Sequence, residues 1–387
     1  MHIMVVPSWY SSINNKVHGS FFKEQFKALQ KSGIKVTVAY NEIWPLPKIF
    51  KEKQKRGISN VFEDSLMTYR YKDYNYLPKN PLMFMLFNKR MEQLYKLIVK
   101  NEGKVDMIHA HSAFFGGVSA SYVASKYNIP FVLTEHSSLK YARYCRKSYR
   151  KYIFDTYKKA DVLLTVGSGL KKEIQGYIDR DIQVVPNMVD LSLFKLKKKE
   201  NKNKFIFFSC AFLEEGKGME DLINAFTQAF KNDSNCFLKI GGDGSEREKL
   251  KELIIKNNMG SNIELLGALS RSEVACEMAN SDAFALPSMH ETFGVVYIEA
   301  MASGKPVIGA DNGGAQDIIN EDNGIIAEKG NVESIKNALI WVKDNYDFYD
   351  KQKIHDMAVL NYSESVLVKN LNEVYKKVNE KYSRKNI

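Results

Sequence analysis

The chain has 387 residues, 44% of them hydrophobic and 26% charged, a composition that predicts a soluble globular protein rather than a disordered or membrane-spanning one. Its net charge of +11 is unevenly distributed along the chain. Residues 1–200 hold 34 Lys and Arg against 17 Asp and Glu, whereas the remainder holds 22 against 28. This asymmetry indicates an anionic partner for the first half, such as an anionic membrane surface or a phosphate-bearing substrate. Nucleic acid is not expected as the partner, because no zinc-finger, RNA-binding or basic-zipper motif is present.

Short apolar runs alternate with helical patterns through the first half of the chain. The amino terminus lacks the charged region and cleavage site of a signal peptide and instead predicts a first β-strand. Strands are predicted over residues 3–6, 36–39, 107–110, 131–133, 162–166 and 183–185. Helices are predicted over residues 21–31, 116–126 and 171–177.

A charged, lysine-rich run at residues 195–204 is predicted to be a linker between two domains. The alternation then resumes, with strands predicted over residues 205–210, 237–241, 263–266, 283–286, 307–309 and 324–326. Helices are predicted over residues 219–230, 246–257, 271–279, 295–302 and 315–319. Two successive βαβ arrays predict an α/β protein with two doubly wound parallel-sheet domains, residues 1–195 and 203–365. A final helix at about residues 366–383 is expected to cross back to the first domain.

The predicted location is the cytoplasm. The four cysteines are far apart, form no C-x-x-C pair and lie mostly in apolar contexts, which predicts buried free thiols in a reducing compartment. The segment at residues 81–100 is basic, apolar and helical in pattern, so it is either an ordinary core helix or a helix that rests on a membrane surface. The second interpretation would place the protein peripherally on the inner face of the membrane.

The most informative stretch lies between Glu291 and Glu299, two carboxylates that flank a Phe-Gly turn. An apolar run predicts a buried strand that ends at Pro287, and a helical pattern begins at Val295. Glu291 is therefore expected in a loop at the carboxyl end of a strand, and Glu299 near the start of the following helix. Ligands bind in that crevice of an open α/β sheet, and the free N–H groups of a helix start suit phosphate. The stretch predicts a nucleotide-sugar site, although the bare pattern also fits a helix cap and a solvated glutamate.

Other strand ends carry weaker candidates. Lys217 lies in a loop between a predicted strand and a helix, where it can reach a diphosphate as a point charge or simply be solvated. Gly267 follows a predicted strand, and Gly19 lies between the first strand and the first helix. The glycine-rich run at residues 241–244 also opens a helix, but it lacks the full dinucleotide-binding spacing.

Three histidines follow or end predicted strands. His136 lies just beyond a strand end, where it can orient a sugar hydroxyl, donate to a developing charge or make a structural hydrogen bond. His109 and His111 face one side of a strand, and because no third metal ligand is identified, packing and site-shaping roles are favoured. Asp179 and Asp181 spell a D-x-D pattern in a polar turn away from the predicted crevice. No metal and no cofactor is therefore expected.

Taken in order, these blocks resemble the retaining glycosyltransferases of family 4 (glycosyl transferases group 1). The resemblance covers nearly the whole chain and rests on D-M-I-H-A-H, L-T-E-H, V-V-P-N, the Lys-Gly dipeptide, G-G-D-G and the specific block at residues 287–307. It implies the GT-B fold, in which two Rossmann-like domains face a central cleft. It also implies a retaining, metal-independent hexosyltransferase that uses a nucleotide diphosphate sugar, most commonly a UDP-sugar. The implied acceptor is a glycan or a lipid-phosphate-linked glycan in bacterial surface polysaccharide synthesis.

The resemblance also implies roles for residues of the second half. Glu299 would bind the ribose hydroxyls of the donor, Glu291 would contact hydroxyls of the donor sugar, and Lys217 would stabilise the diphosphate leaving group. The backbone near Gly267 would meet the base. Backbone N–H groups that would help to hold sugar and phosphate belong to Phe293, Gly294 and Val295.

In the first half, the resemblance implies that Gly19 lets its loop approach the diphosphate and that His136 lies beside the sugar at the reacting carbon. One departure concerns Phe212, which stands where the family usually has an arginine that holds the diphosphate with the lysine. Loss of such a charge-assisted contact removes about 1.5–3 kcal/mol unless another group replaces it. Two alternatives therefore stay open, namely a nucleotide-sugar epimerase of the same fold and a noncatalytic nucleotide-sugar-binding subunit.

Overall fold

The structure is a computed structural model that describes residues 1–12, 19–49, 51–142, 145–197 and 203–385. The chain divides into two compact units, one of Met1–Met188 with Glu364–Ile387 and one of Val189–Ser363. The boundary between the units, after Met188, precedes the lysine-rich run at residues 195–204 that the sequence predicts as the linker. The reason is that Phe194 is 1% exposed and packs under the guanidinium of Arg271, 5.9 Å from its ring centroid, in the second unit.

In the first unit, eight strands of the described chain form one sheet. They are β1 (His2–Pro7), β2 (Lys35–Trp44), β3 (Gly57–Glu63), β4 (Leu66–Tyr74), β5 (Met107–His111), β6 (Phe131–Glu135), β7 (Val162–Thr165) and β8 (Gln183–Val184). Their order in the sheet is β3-β4-β2-β1-β5-β6-β7-β8. All neighbours pair in parallel except β3 and β4, which pair antiparallel.

The β3–β4 hairpin is a difference from the sequence prediction, which places no strand between residues 39 and 107. Its tight turn consists of Asp64 and Ser65, both at positive φ (50° and 68°), as two-residue hairpin turns require. β3 lies at the sheet edge and is mostly exposed, so no alternating buried face marks it in the sequence.

The helices of the first unit cover both faces of its sheet. They are α1 (Ser20–Lys31), α2 (Met83–Glu102), α3 (Val118–Tyr127), α4 (Arg150–Lys159), α5 (Ser168–Gln175) and the C-terminal helix (Glu364–Lys385). The C-terminal helix belongs to this unit because Leu371 and Tyr375 are buried in the same core as Ile3, Phe26 and Val36.

Helix α2 is the segment for which the sequence left two interpretations open. Its buried side includes Phe84, Phe87 and Met91, so the helix packs on the core of its unit. Near its start, however, Leu82 and Met85 are 51% and 58% exposed. The core interpretation therefore holds for the body of α2, and only this first turn presents apolar side chains to the outside.

In the second unit, six strands of the described chain form a sheet that is parallel throughout. They are β9 (Phe205–Cys210), β10 (Cys236–Gly241), β11 (Ile263–Gly267), β12 (Ala283–Ala285), β13 (Val307–Ala310) and β14 (Gly324–Ala327), in the order β11-β10-β9-β12-β13-β14. Its helices are α6 (Met219–Phe230), α7 (Arg247–Lys256), α8 (Arg271–Asn280), α9 (Val295–Ala302), α10 (Val332–Asp344) and α11 (Lys351–Tyr362). The strand order reverses between β9 and β12, which makes their carboxyl ends the expected ligand-binding crevice of this unit.

Two further expectations can be compared with the structure. No helix in the described ranges has the length and apolarity that crossing a membrane would demand. The cysteines are free thiols, but only Cys236 is buried, whereas Cys276 is exposed and Cys145 and Cys210 are half-buried. The prediction of generally buried thiols was therefore wrong, because an apolar neighbourhood in sequence does not fix which face of an element a side chain occupies.

Candidate functional site

The crevice of the second unit is built by two loops that meet beyond β9 and β12. The Met289 N–H donates to the carbonyl of Gly216 over 2.8 Å, which joins the two loops directly. Gly218 has φ 71° and caps α6, and a Cβ at this position would lie 2.1 Å from the carbonyl oxygen of Pro287. Only glycine fits such a close approach at positive φ, so this residue fixes how the loops pack.

This packing brings Lys217 and Glu291 together. The Lys217 ammonium lies 2.8 Å from Glu291 Oε1, and their side chains are 31% and 17% exposed. The pair therefore presents one cation and one carboxylate to the crevice, each partly open to a ligand. A phosphate can approach the ammonium and a sugar hydroxyl can donate to the carboxylate without either side chain moving far.

The turn after Glu291 leads into α9. Gly294 precedes the helix at φ 98°, and a Cβ there would lie 2.5 Å from the ring of Tyr297, so the sharp entry requires glycine. Phe293 is 4% exposed and packs against Tyr362. The helix begins at Val295, where its first N–H groups and positive dipole end face the loop. Phe293, Gly294 and Val295 thus form the helix start that the sequence predicts.

A third loop supports this turn and was missed at the sequence level. Asn312 Nδ2 donates to the carbonyl of Ser288 over 2.9 Å, and its Oδ1 accepts the N–H groups of Gly314 and Ala315. A Cβ at Gly314 would lie 2.7 Å from the carbonyl oxygen of Phe293. The signal for this loop was the Asn-Gly-Gly run directly after the predicted strand at residues 307–309.

Glu299 lies deeper in α9 than the sequence predicts. It is the fifth residue of Val295–Ala302, and its own carbonyl accepts the N–H of the residue that caps the end of the helix. Its side chain is 12% exposed and lies near the end of β9, where burial and, to a smaller extent, the Glu299 carboxylate raise the pKa of the Cys210 thiol to about 11. Arg271 Nη2 lies 3.6 Å from Glu299 Oε1, a contact the sequence analysis missed.

Gly267 ends β11 at φ 78°. A Cβ there would lie 3.7 Å from the Arg247 guanidinium, which in turn lies 3.4 Å from Asp243 at the end of the glycine-rich run. The backbone of Gly267 and a charged group are therefore adjacent at this strand end. Phe212, in contrast, is 71% exposed, so it fills no packing role where the family arginine usually stands.

The other two predicted site residues lie in the first unit. Gly19 caps α1 at φ 72°, and a Cβ there would lie 2.7 Å from the carbonyl oxygen of Trp9, which restricts the position to glycine. His136 follows β6, and its ring contacts Phe21 and Phe22 of α1, with centroid distances of 5.6 and 4.9 Å. The start of α1 and the end of β6 are thus packed together, so Gly19 and His136 belong to one neighbourhood.

His136 is held by two partners that sequence reasoning did not assign to it. Its Nε2 lies 3.1 Å from His111 Nδ1, and its backbone N–H donates to Glu135 Oε1 over 2.9 Å. Burial lowers the pKa of His136 to about 3, so the ring is neutral. Burial, with smaller effects of His109 and His136, also lowers the pKa of His111 well below its ordinary value.

Glu135 is a fully buried carboxylate whose hydrogen bonds organise this neighbourhood. Its Oε1 also accepts the N–H of Ser137, and its Oε2 accepts the Ala113 N–H and the Tyr157 hydroxyl, each over 2.9–3.0 Å. Burial raises the pKa of Glu135, and these donors partly oppose that rise. The carboxylate therefore fixes the backbone of the two loops that follow β5 and β6.

Two sequence patterns could have indicated a metal site: the His109 and His111 pair and the D-x-D turn. Both ring nitrogens of His109 are occupied, Nδ1 by the Tyr375 hydroxyl at 2.7 Å and Nε2 by Thr134 Oγ1 at 2.8 Å. In the D-x-D turn, Arg180 donates to backbone carbonyls at the end of α4. Among the described residues, no group of three or more His, Cys, Asp or Glu side chains is arranged to hold a metal ion.

Comparison with known proteins places these features in a family. The model of the glycosyl transferases group 1 matches residues 192–355, and the model of glycosyltransferase family 4 matches residues 19–193. An uncharacterized glycosyltransferase of Methanocaldococcus jannaschii is 32% identical over 253 residues, 65% of this chain and 68% of that protein. The alpha-monoglucosyldiacylglycerol synthase of Acholeplasma laidlawii is 27% identical over 312 residues, 73% of this chain and 78% of that protein.

Comparison with solved structures agrees with this result at the level of the fold. The crystal structure of Anabaena HepE in complex with UDP and glucose superimposes with a TM-score of 0.72 at 17% identity, covering 97% of this chain and 100% of that one. The two matched models together span both units. The chain therefore belongs to the glycosyltransferases of group 1 and family 4 and has the GT-B fold.

Proposed function

We propose that this glycosyltransferase transfers a sugar, with retention and without a metal, from a nucleotide diphosphate donor to a hydroxyl of a glycan or lipid-linked acceptor. The contact that carries the proposal is the 2.8 Å approach of Lys217 to Glu291 beside the start of α9. A leaving diphosphate needs positive charge and N–H donors, and a sugar needs hydrogen-bond acceptors. The crevice of the second unit offers both where its two loops meet.

Each group of the crevice has a role in this proposal. Lys217 and the N–H groups of Phe293, Gly294 and Val295 stabilise the diphosphate as negative charge develops on it. Glu291 accepts hydrogen bonds from the donor sugar, and Glu299 accepts them from the ribose. A hydrogen bond to a charged group contributes about 1.5–3 kcal/mol, so removal of one such group changes a rate or an affinity by at least tenfold.

Retention does not require a protein nucleophile in this proposal. Glu135, the buried carboxylate beside His136, accepts four hydrogen bonds, so no lone pair of it is available to attack a sugar. The departing phosphate itself accepts the proton of the acceptor hydroxyl on the face from which it leaves. Lys217 and the start of α9 neutralise that phosphate, which is why a metal is not needed.

A UDP-sugar is the donor that we favour. The supporting observations are the likeness to a structure whose ligands are UDP and glucose and the match of residues 192–355 to the glycosyl transferases group 1. Gly267 and Arg247 provide a backbone and a guanidinium at the strand end where the base would lie. Comparison of UDP-, GDP- and ADP-sugars tests this choice directly.

The positive charge of the first half of the chain supports a proposal for the acceptor and for the location of the protein. Residues 1–200 carry an excess of 17 positive charges, and a relative with 27% identity is named for making a glucosylated diacylglycerol. We therefore propose a lipid-linked acceptor and a peripheral location on the cytoplasmic face of a membrane. Basic residues near an anionic surface contribute about 1 kcal/mol each, an attraction that salt weakens.

The deciding experiment is a panel of nucleotide sugars, each incubated with and without lipid-linked acceptors and scored for release of nucleoside diphosphate and for glycosylated product. The proposal expects release that depends on an acceptor and on one nucleotide. Conversion of the donor to another sugar nucleotide without acceptor would instead identify an epimerase. Tight nucleotide binding without any turnover would identify a binding subunit, the alternative that the exposed Phe212 keeps open.

A further inference from the structure

Two buried imidazoles of the first unit share one hydrogen bond. His111 ends β5, His136 follows β6, and the His111 Nδ1 to His136 Nε2 distance is 3.1 Å. The rings are 1% and 7% exposed and stack with centroids 5.3 Å apart. The outer nitrogens, His111 Nε2 and His136 Nδ1, are also buried and have no hydrogen-bond partner among the described residues.

Both rings are neutral, because burial lowers both pKa values far below physiological pH. A neutral imidazole carries one N–H and one bare nitrogen. The shared hydrogen bond therefore uses one of the two protons of the pair, and the second proton must sit on one outer nitrogen. If His111 Nδ1–H donates, the second proton is on His136 Nδ1; if His136 Nε2–H donates, it is on His111 Nε2.

The surroundings distinguish these two arrangements. The His111 ring lies between Phe22 and Phe26, with centroid distances of 5.1 and 5.0 Å, and stacks on His109 at 4.3 Å. Both nitrogens of His109 are already engaged with Tyr375 and Thr134, so His109 offers nothing to a proton on His111. An N–H buried without an acceptor costs about 1–3 kcal/mol, and a bare acceptor is tolerated better.

His136 Nδ1 has a different setting. His136 lies in the loop beyond the carboxyl end of β6, next to the start of α1, where ligands of a doubly wound sheet bind. His136 Nδ1 is buried in the unliganded protein, so its proton gains an acceptor when a substrate reaches this strand end, whereas His111 lies within β5, one element further from that end. Glu135 accepts the backbone N–H of His136, which helps to fix where this residue lies beyond β6.

We propose that His111 is a positioning residue: its Nδ1–H donates to His136 Nε2, fixes the tautomer of His136 and leaves His136 Nδ1–H directed at an oxygen of the bound substrate. This rests on the proposed function in that it takes that oxygen to belong to a substrate of the transferase. His111 itself does not touch the substrate. The pair works as one donor whose proton is set in place before the substrate arrives, because His136 is the ring that lies beyond the strand end, whereas His111 lies within β5 against the fully engaged His109.

The first test reads the tautomers directly. Long-range proton–nitrogen correlation spectra of protein with 15N-labelled histidine, assigned with single substitutions among its seven histidines, distinguish Nδ1–H from Nε2–H rings. The proposal expects Nδ1–H for both His111 and His136. A His136 ring with its proton on Nε2 would overturn it. In H111L, whose leucine cannot donate, the signal of His136 should move towards the Nε2–H form.

The second test separates positioning from packing. His111→Asn can donate from its amide near the place of Nδ1, so kcat should stay within about threefold of wild type, whereas His111→Leu should lower kcat about tenfold with little change in KM. His109→Gln is the matched control in the same stack, and its kcat should stay within about threefold even if its melting temperature falls. Equal kcat losses in H111N and H111L, or no loss in folded H111L, would overturn the proposal.

The two tests also separate this inference from the proposed function. The tautomer measurement needs no turnover, so it decides the inference even if no nucleotide sugar proves to be a substrate. Conversely, acceptor-dependent transfer by the wild type together with an Nε2–H tautomer of His136 would leave the proposed function standing and remove the role of His111.

Discussion

Lys217 and Glu291 are 74 residues apart in the sequence, and their ammonium and carboxylate groups are 2.8 Å apart in the structure. They meet because β9 and β12 are neighbours in the sheet, so the loops after these strands share one edge. Gly218 and Pro287 then bring the loops into contact. The pair neutralises itself in the absence of substrate, and each partner remains exposed enough to exchange the other for a phosphate or a sugar.

The first prediction concerns Glu291. Glu291→Ala should lower kcat by about tenfold to a hundredfold, because the carboxylate is proposed to contact the sugar where charge develops, and should leave the affinity for free nucleotide nearly unchanged. Steady-state kinetics and calorimetric titration with the nucleoside diphosphate measure the two effects. A folded E291A protein with wild-type kcat would contradict the assignment.

The second prediction concerns Glu299. Glu299→Ala should weaken nucleotide binding about tenfold or more, because the proposed ribose contact is lost and the carboxylate that lies 3.6 Å from Arg271 is removed. Calorimetry with the free nucleotide is the measurement. Glu333→Ala is the matched control, since Glu333 lies on α10 with its side chain 61% exposed. If E299A and E333A bind nucleotide equally well, Glu299 is not the ribose ligand.

The outcome for α9 shows what the sequence could provide. Its predicted bounds, 295–302, are those of the structure, because a proline-ended apolar strand and glycines on both sides mark the helix unambiguously. The alternation of strands and helices indicated doubly wound sheets but not the order of their strands. The resemblance to the family, rather than strand order, assigned Lys217 and Glu291 to one site before any distance was known.

Other features depend on contacts that no local pattern encodes. The Asn312 side chain supports the segment before α9 through a hydrogen bond to the Ser288 carbonyl. Glu135 binds backbone groups from two loops, and His111 meets His136 only because β5 and β6 are adjacent. The edge strand β3 has no buried face and so left no alternating pattern. Tertiary pairing, rather than propensity, decided each of these.

The third prediction concerns the close approach of the two loops. Gly218→Ala should lower donor affinity and melting temperature together, because the new Cβ would lie 2.1 Å from the Pro287 carbonyl oxygen and the loops must separate. Gly216→Ala is the matched control: its φ is 92°, but its Cβ would have nothing within 4 Å, so it bears only backbone strain of about 1–2 kcal/mol. Equal effects of both substitutions would show that the approach to Pro287 is unimportant.

The fourth prediction concerns metal removal. Activity should change by less than about twofold in excess chelator, because Lys217 and the N–H groups at the start of α9 are proposed to neutralise the diphosphate. The assay follows product formation after dialysis against chelator, with and without added magnesium or manganese. The control is a metal-dependent glycosyltransferase treated identically, to show that the chelator is effective. Complete loss of activity that either metal restores would contradict a metal-independent mechanism.

The fifth prediction concerns the membrane. The excess of 17 positive charges in residues 1–200 predicts binding to vesicles that contain anionic lipid, and screening predicts that binding declines as salt rises. Leu82 and Met85 at the start of α2 are exposed apolar side chains of this unit that can enter the interface, whereas the body of that helix packs on the core. Flotation with neutral and anionic vesicles at low and high salt measures the association.

Substitutions test whether the start of α2 is the part of the protein that contacts the membrane. The double variant of Leu82→Glu and Met85→Glu should float markedly less with anionic vesicles, since two apolar contacts are lost and two negative charges face the lipid. Leu360→Glu is the control, because Leu360 is 71% exposed on α11 in the other unit and should not matter. Equal flotation with neutral and anionic vesicles at low salt would show that the basic residues do not direct the protein to a membrane. Salt-sensitive flotation that the double variant leaves intact would retain the membrane but place the contact elsewhere on the first unit.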